Sequence, residues 1–96
     1  MADLTCAHTH MIREEETPEV LDHCPECVAT GSRWVHLRVC ITCGHVGCCD
    51  ESPGRHARRH YHRAGHPLIQ SLEPGENWRY CFEDDVELPP GPMLRP

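Results

Sequence analysis

The sequence predicts a small α+β domain: a short antiparallel sheet with one main helix, and a core too thin to hold itself together unaided. Three observations carry this. The chain has 96 residues, enough for one domain. Leu, Ile, Val and Phe number only 17 of them, aromatics make up 5%, and the formal net charge is −6, a composition that borders on disorder. Against that, eight Cys and nine His share the same chain, so something other than apolar burial must supply stability. A domain of this length buries only roughly 60–65% of its unfolded surface even when well packed. Length excludes a multidomain enzyme and a large α/β fold. No apolar stretch approaches the ~20 residues of a membrane helix. The N-terminus has neither the basic nor the apolar region of a secretory signal.

The elements follow in order. Residues 1–23 read as irregular, with Glu14, Glu15 and Glu16 before Pro18 forming a solvated acidic loop. In residues 33–40, Val35, Leu37 and Val39 alternate with Trp34, His36 and Arg38, the period of a half-buried strand. Residues 43–49, CGHVGCC, form a knuckle in which Gly44 and Gly47 supply positive φ angles. Ser52 is the expected N-cap and Pro53 the first residue of a helix running to about residue 63. Gly65 and Pro67 stop it. Residues 67–72 and 77–84 read as a hairpin across the turn Glu73-Pro74-Gly75-Glu76. Residues 1–88 are expected to form the domain, and the Pro-rich 89–96 a flexible tail.

The cysteine spacing points to metal rather than disulfides. Cys24-Pro-Glu-Cys27 and Cys40-Ile-Thr-Cys43 are CxxC pairs, and two intervening residues let both sulfurs reach one tetrahedral ion at about 2.3 Å. Cys6-Ala-His8 is a CxH pair, and His56 and His60 are four apart on the expected helix, hence on one face. Disulfide scaffolds have no use for His, whereas Cys/His mixtures at these spacings are a zinc signature. The ligand candidates are Cys6, His8, Cys24, Cys27, Cys40, Cys43, Cys48, His56, His60, His66 and Cys81. That is one short of three complete four-ligand sites. Spacing leaves open whether His56 and His60 chelate one ion or each complete a neighbouring site. Cys49, beside a candidate ligand, is expected to be a half-buried free thiol. His10, His23, His36, His45 and His62 are expected to be solvated or to hydrogen-bond ligands, with His45 a rival ligand inside the knuckle.

From Cys24 to Phe82 the chain resembles a UBP-type zinc finger, the module of ubiquitin-specific proteases and of a cytoplasmic histone deacetylase. The resemblance rests on CPEC, Trp34-Val35, CITCGHVGC, His56-x3-His60-x5-His66-Pro67, Tyr80-Cys81-Phe82 and the upstream CxH. A free-standing finger of this size is similar to the family's small bacterial members. The resemblance implies interleaved zinc sites. Cys24, Cys27, Cys48 and His56 would hold one ion, and Cys40, Cys43, His60 and His66 a second. Cys6, His8 and Cys81 would hold a third, with Asp84 where three-zinc members carry Cys, and Asp85 as its rival. Two zinc ions are expected and a third is foreseen.

The resemblance also implies a binding function. Ubiquitin-binding members capture a free C-terminal Gly-Gly with aromatic walls and the Arg of a Cys-Gly-Arg motif. That motif reads Cys48-Cys49-Asp50 here, and a carboxylate at the Arg position repels a peptide C-terminus. Trp34, Tyr80 and Phe82 match the aromatic positions, and Arg38 and Arg79 are the candidate substitutes for the missing Arg. The expected function is non-catalytic binding of a protein or peptide tail, with ubiquitin itself in doubt, by a cytoplasmic monomer. One alternative is nucleic-acid binding through Arg55, Arg59 and Arg63 on one helix face, disfavoured by a pI near 5.8. Another is a purely structural or regulatory zinc scaffold. No enzyme is expected, because sites closed by four ligands leave no coordination position for substrate.

Overall fold

The computed structural model describes residues 7–14 and 17–95. A 3-10 turn at Thr9–Met11 is followed by helix α1 (Pro25–Thr30), strands β1 (Leu37–Cys40) and β2 (Val46–Cys48), and helix α2 (His56–Ala64). Strands β3 (Leu68–Ser71), β4 (Arg79–Cys81) and β5 (Val86–Leu88) complete the chain. The five strands form one sheet in the order β2-β1-β3-β4-β5, every pair antiparallel. The domain is therefore a short antiparallel sheet with one main helix.

Strand β1 is shorter than its alternating pattern suggests. Leu37 and Val39 face the core at 2% exposure, but Val35 is half exposed, and the ladder to β2 begins at Leu37↔Cys48. The knuckle contains a strand of its own, β2, and only one of its two glycines has the expected backbone. Gly44 has φ +84, and a side chain there would strike the carbonyl of Thr17. Gly47 lies in β2 without a positive φ; it is small because the backbone of Ala57 passes over it.

Helix α2 begins at His56 instead of residue 53. Ser52 is buried, and its Oγ accepts the Val35 N–H at 2.8 Å, which ties the loop to the start of β1 and removes it from capping. Arg55, at φ 47, then turns the chain into the helix. Gly65, in the left-handed conformation, ends it as expected. Helix α1 occupies the interior of the first CxxC and beyond, with Pro25 at its first turn and Gly31 after its last. The β3–β4 hairpin forms with Ile69 opposite Tyr80. The expected returning strand is cut to three residues by a turn, in which Asp85 takes φ 53 and leads into β5.

The core is small. Leu37, Val39, Val46, Leu68, Leu72 and Leu88 are almost fully buried together with Cys24, Cys27, Cys48 and Cys81. Trp34 and Leu94 pack against this cluster. Residues 89–95, expected to be a flexible tail, make hydrogen bonds to the β3–β4 hairpin. Gln70 Nε2 donates to Pro92 O at 2.7 Å, Asn77 Nδ2 to Gly91 O at 2.7 Å, and Gly75 N–H to Arg95 O at 2.8 Å. Two of these donors are side-chain amides of the hairpin, and they satisfy carbonyls of a segment that has no ladder of its own. The first 23 residues are irregular but anchored: Arg13 N–H donates to Ile41 O, and Val46 N–H to the Glu19 carboxylate. No helix among the described residues is long and apolar enough to cross a membrane.

Candidate metal centres and an adjoining pocket

Each end of the β1–β2 hairpin contributes to a different cluster. Cys48, closing β2, meets Cys24 just before α1, Cys27 within it and His56 from the first turn of α2. The Nδ1 of His56 lies 3.4 Å from each of the three sulfurs, and Cys27 Sγ lies 3.7 Å from Cys48 Sγ. A tetrahedral ion with ordinary metal–sulfur and metal–nitrogen bonds requires edges of about 3.6 Å and 3.8 Å. The donor atoms thus already stand at the corners of such a site, and all four residues are buried.

The second cluster joins Cys40 and Cys43, from the β1–β2 turn, to His60 and His66. Cys40 Sγ is 3.7 Å from His66 Nδ1, and Cys43 Sγ is 3.4 Å from His60 Nε2. His56 and His60 share a helix face yet serve different clusters, because one helical turn carries them past the hairpin. His45 is not a member. It stacks on His60 with ring centroids 4.1 Å apart, and its Nε2 lies 3.1 Å from Glu26 Oε1.

The third cluster is thinner. His8 Nδ1 lies 3.0 Å from Asp84 Oδ2 and 3.7 Å from Cys81 Sγ. Cys6 lies outside the described residues. Asp85 turns away and accepts a hydrogen bond from the Tyr80 hydroxyl, so the carboxylate in this cluster is that of Asp84. A fourth grouping, which spacing did not foresee, brings together His36, Cys49 and Glu51.

The proton affinities of these groups follow from burial. Desolvation pushes the Cys27 thiol up to about 12 and the Cys40 thiol up to about 11; Cys24 is raised for the same reason. It pulls His60 down to about 4, with His45 and His66 adding to the effect. A neutral imidazole is the form that binds metal, whereas the thiols must be stripped of their protons by the ion.

Beside the metal clusters, a cavity of about 300 Å³ opens between the sheet and the start of α2. Tyr80, Phe82 and Trp78 form its aromatic wall. Trp34, expected there, is instead packed on the core, and Trp78 stands in the wall. The signal for Trp78 was its position two residues before Tyr80, where alternation along an extended chain turns both to one face. Two guanidiniums reach the cavity. Arg58 lies 4.4 Å above the Phe82 ring and is held by Asp50, Nη2 to Oδ2 at 2.7 Å, which also raises its proton affinity. Arg38 lies 4.5 Å from the centroid of Trp78 and donates to Leu37 O. Among the described residues no carboxylate forms an ion pair with Arg38. Arg79 is not available to the cavity: it is 5% exposed, pairs with Glu14 through both terminal nitrogens and donates from Nε to Gln70. The same contact holds the Glu14 carboxyl below its ordinary range. Arg59 and Arg63 on α2 and Arg55 just before it are exposed, and Arg63 stands 3.8 Å from Glu26.

A small sheet hung on several thiol and imidazole clusters, with donor atoms at tetrahedral spacing, defines a zinc-stabilised domain. The family can be named as well. The profile described as "Zn-finger in ubiquitin-hydrolases and other protein" matches residues 24–90, and the chain belongs to this UBP-type zinc-finger family. It is 33% identical over 85 residues to ubiquitin carboxyl-terminal hydrolase 44 of Xenopus tropicalis, covering 80% of this chain and 11% of that one. It is 33% identical over 94 residues to ubiquitin carboxyl-terminal hydrolase 14 of Saccharomyces cerevisiae, covering 86% and 12%. The chain therefore spans about a tenth of the length of the curated relatives it matches. Protein RPA1320 from Rhodopseudomonas palustris, whose structure was solved by NMR in solution, superimposes with a TM-score of 0.81 at 49% identity. That match covers 96% of this chain and 88% of the other.

Proposed function

We propose that the protein is a non-catalytic, zinc-held module that binds the carboxyl-terminal tail of a protein in the cavity beside Trp78, Tyr80 and Phe82. Cys24, Cys27, Cys48 and His56 hold one ion, and Cys40, Cys43, His60 and His66 the second. His8, Cys81 and Asp84 hold a third together with Cys6. The zinc supplies cross-links in place of the missing core, and with four protein ligands it leaves no position for a reacting group. None of the described cysteines forms a disulfide, which suits a reducing, cytoplasmic compartment.

The observation that carries the binding reading is the cavity itself: an aromatic wall reached by the Arg38 guanidinium, which makes no direct ion pair with a carboxylate among the described residues and acts on Glu76 only from beyond Ser71. Arg38 is the charge that meets the tail's carboxylate, in place of the arginine that Asp50 displaces. The relatives' names speak for a ubiquitin tail as the first ligand to try. In an NMR titration of the zinc-loaded protein, ubiquitin with its intact Gly-Gly tail is expected to shift Trp78, Tyr80 and Phe82, and tail-less ubiquitin is not. Charge-assisted hydrogen bonds contribute about 1.5–3 kcal/mol, so Arg38→Ala is expected to weaken tail binding by roughly ten- to a hundredfold. If neither ubiquitin form nor any free-carboxylate peptide moves these signals, the tail-binding reading is wrong.

The zinc assignment has a pH signature. The first cluster surrenders up to three thiol protons on loading and the second up to two, so protons compete with the ion and retention falls as pH falls. Affinity is expected to drop by roughly two to three decades per pH unit below neutrality. Metal release followed with a chromophoric chelator from pH 7.5 to pH 4.5 checks this; retention independent of pH would contradict thiolate ligation.

A further inference from the structure

We propose that His36, Cys49 and Glu51 form a fourth cation site, open on one side and set at the rim of the tail-binding cavity. Its origin lies in the strand register. Leu37 pairs with Cys48 across β1 and β2, and the ladder continues one step, with Cys49 N–H donating to His36 O at 2.9 Å. His36 and Cys49 are therefore directly opposite each other, and opposed residues in an antiparallel pair project their side chains to the same face. That face is the reverse of the one on which Cys48 enters the first cluster, because successive residues of a strand alternate. Two adjacent cysteines thus serve two separate places.

The donor atoms are already gathered. Cys49 Sγ lies 4.0 Å from His36 Nδ1, which lies 3.8 Å from Glu51 Oε1, and all three donors fall within 4.8 Å of one another. A tetrahedral ion asks for edges of about 3.3–3.6 Å between such donors. The excess is a few tenths of an ångström on the imidazole. Glu51, whose side chain is 76% exposed, makes up the rest by turning about its own bonds, without backbone movement. Cys49 itself is 5% exposed and rests against Ser52 Oγ at 3.7 Å, so the sulfur is already fixed.

The donor chemistry selects the ion. One thiolate with one imidazole and one carboxylate suits zinc and its thiophilic neighbours, not magnesium or calcium, which require all-oxygen shells. The site differs in kind from the first two clusters, which have four protein ligands each. Here there are three, and Cys49 and Glu51 both line the cavity. The fourth coordination position therefore opens toward the cavity, where water or a ligand carboxylate occupies it. A site with three ligands, one of them on an exposed flexible side chain, fills last and exchanges first.

The test uses the full chain with its other clusters filled by zinc, and no peptide, so its result does not depend on what the cavity binds. Zinc per chain is measured by atomic emission after dialysis against buffered free zinc, for wild type, Cys49→Ser and His36→Gln. Wild type is expected to hold one equivalent more than either variant. Cobalt added to the zinc-loaded protein is expected to give a thiolate-to-metal charge-transfer band that Cys49→Ser abolishes. His36 is half exposed, so His36→Gln guards against a folding defect in the cysteine variant; amide spectra matching wild type verify both. Equal zinc content in all three proteins, or a cobalt band that survives Cys49→Ser, overturns the proposal.

Discussion

Removing the metal with a chelator is expected to unfold the domain outright. A folded domain is stable by only about 5–15 kcal/mol, and a structural zinc contributes on the order of 10 kcal/mol at neutral pH. The apolar core, seven aliphatic side chains around four cysteines, cannot offset the loss of even one ion. Without metal, Cys24, Cys27 and Cys48 would leave three thiol groups converging on one imidazole in the centre of that core. Far-UV circular dichroism and amide dispersion are the readouts, and both should collapse on addition of chelator and return with zinc. Cys24→Ser should behave like chelation, whereas Cys49→Ser should keep the fold. Persistent dispersion without metal, or equal damage from the two variants, would show that the clusters do not carry the fold.

Gly47→Ala is expected to be the most damaging substitution that touches no proposed ligand. A Cβ at this position would stand 2.6 Å from the Ala57 nitrogen and 2.8 Å from the His56 carbonyl carbon, both backbone atoms that no rotamer change can move aside. Relief requires the first turn of α2 to retreat from β2, and that turn carries His56. Overpacking of this kind costs about 3 kcal/mol or more, and here it also draws His56 Nδ1 away from three sulfurs. Gly75→Ala is the control: its φ is +79 but nothing lies within 4 Å, so it should cost about 1–2 kcal/mol for the left-handed backbone alone. Denaturant unfolding of the zinc-loaded proteins separates the two. Equal costs would mean that β2 and α2 do not meet as closely as described.

Much of this architecture was legible in the residues. The CxxC spacing, the His56–His60 repeat, the β3–β4 hairpin and the need for metal follow from local chemistry. How the cysteines and histidines group did not; spacing left it open, and only the family resemblance suggested a grouping. The misses share a cause, which is that tertiary contacts decided them. Ser52 has the composition of an N-cap but is drawn off by the Val35 N–H. Helix α1 buries only Cys27, too little for a periodic signal, although Pro25 and Gly31 marked its ends. Trp34 and Trp78 are equally plausible cavity walls by composition, and only the sheet's register decides between them. Gly47 has the look of a turn residue, whereas its smallness answers to a helix that passes ten residues later in the chain.

The crossing of the two main clusters governs how the chain can assemble. The segment from Cys24 to His56 and the segment from Cys40 to His66 overlap, so neither ring can be drawn shut without holding part of the other. Closing a loop of this length costs entropy that grows only as the logarithm of its length, and most of that cost falls on whichever ring closes first. The second then closes between ends already held near each other by α2 and the β1–β2 turn. Loading should therefore run downhill after the first ion, with half-loaded molecules scarce at any zinc concentration. With the proposed ligand sets the crossing also sets a threshold during synthesis: neither four-ligand site can be completed until His56 is available.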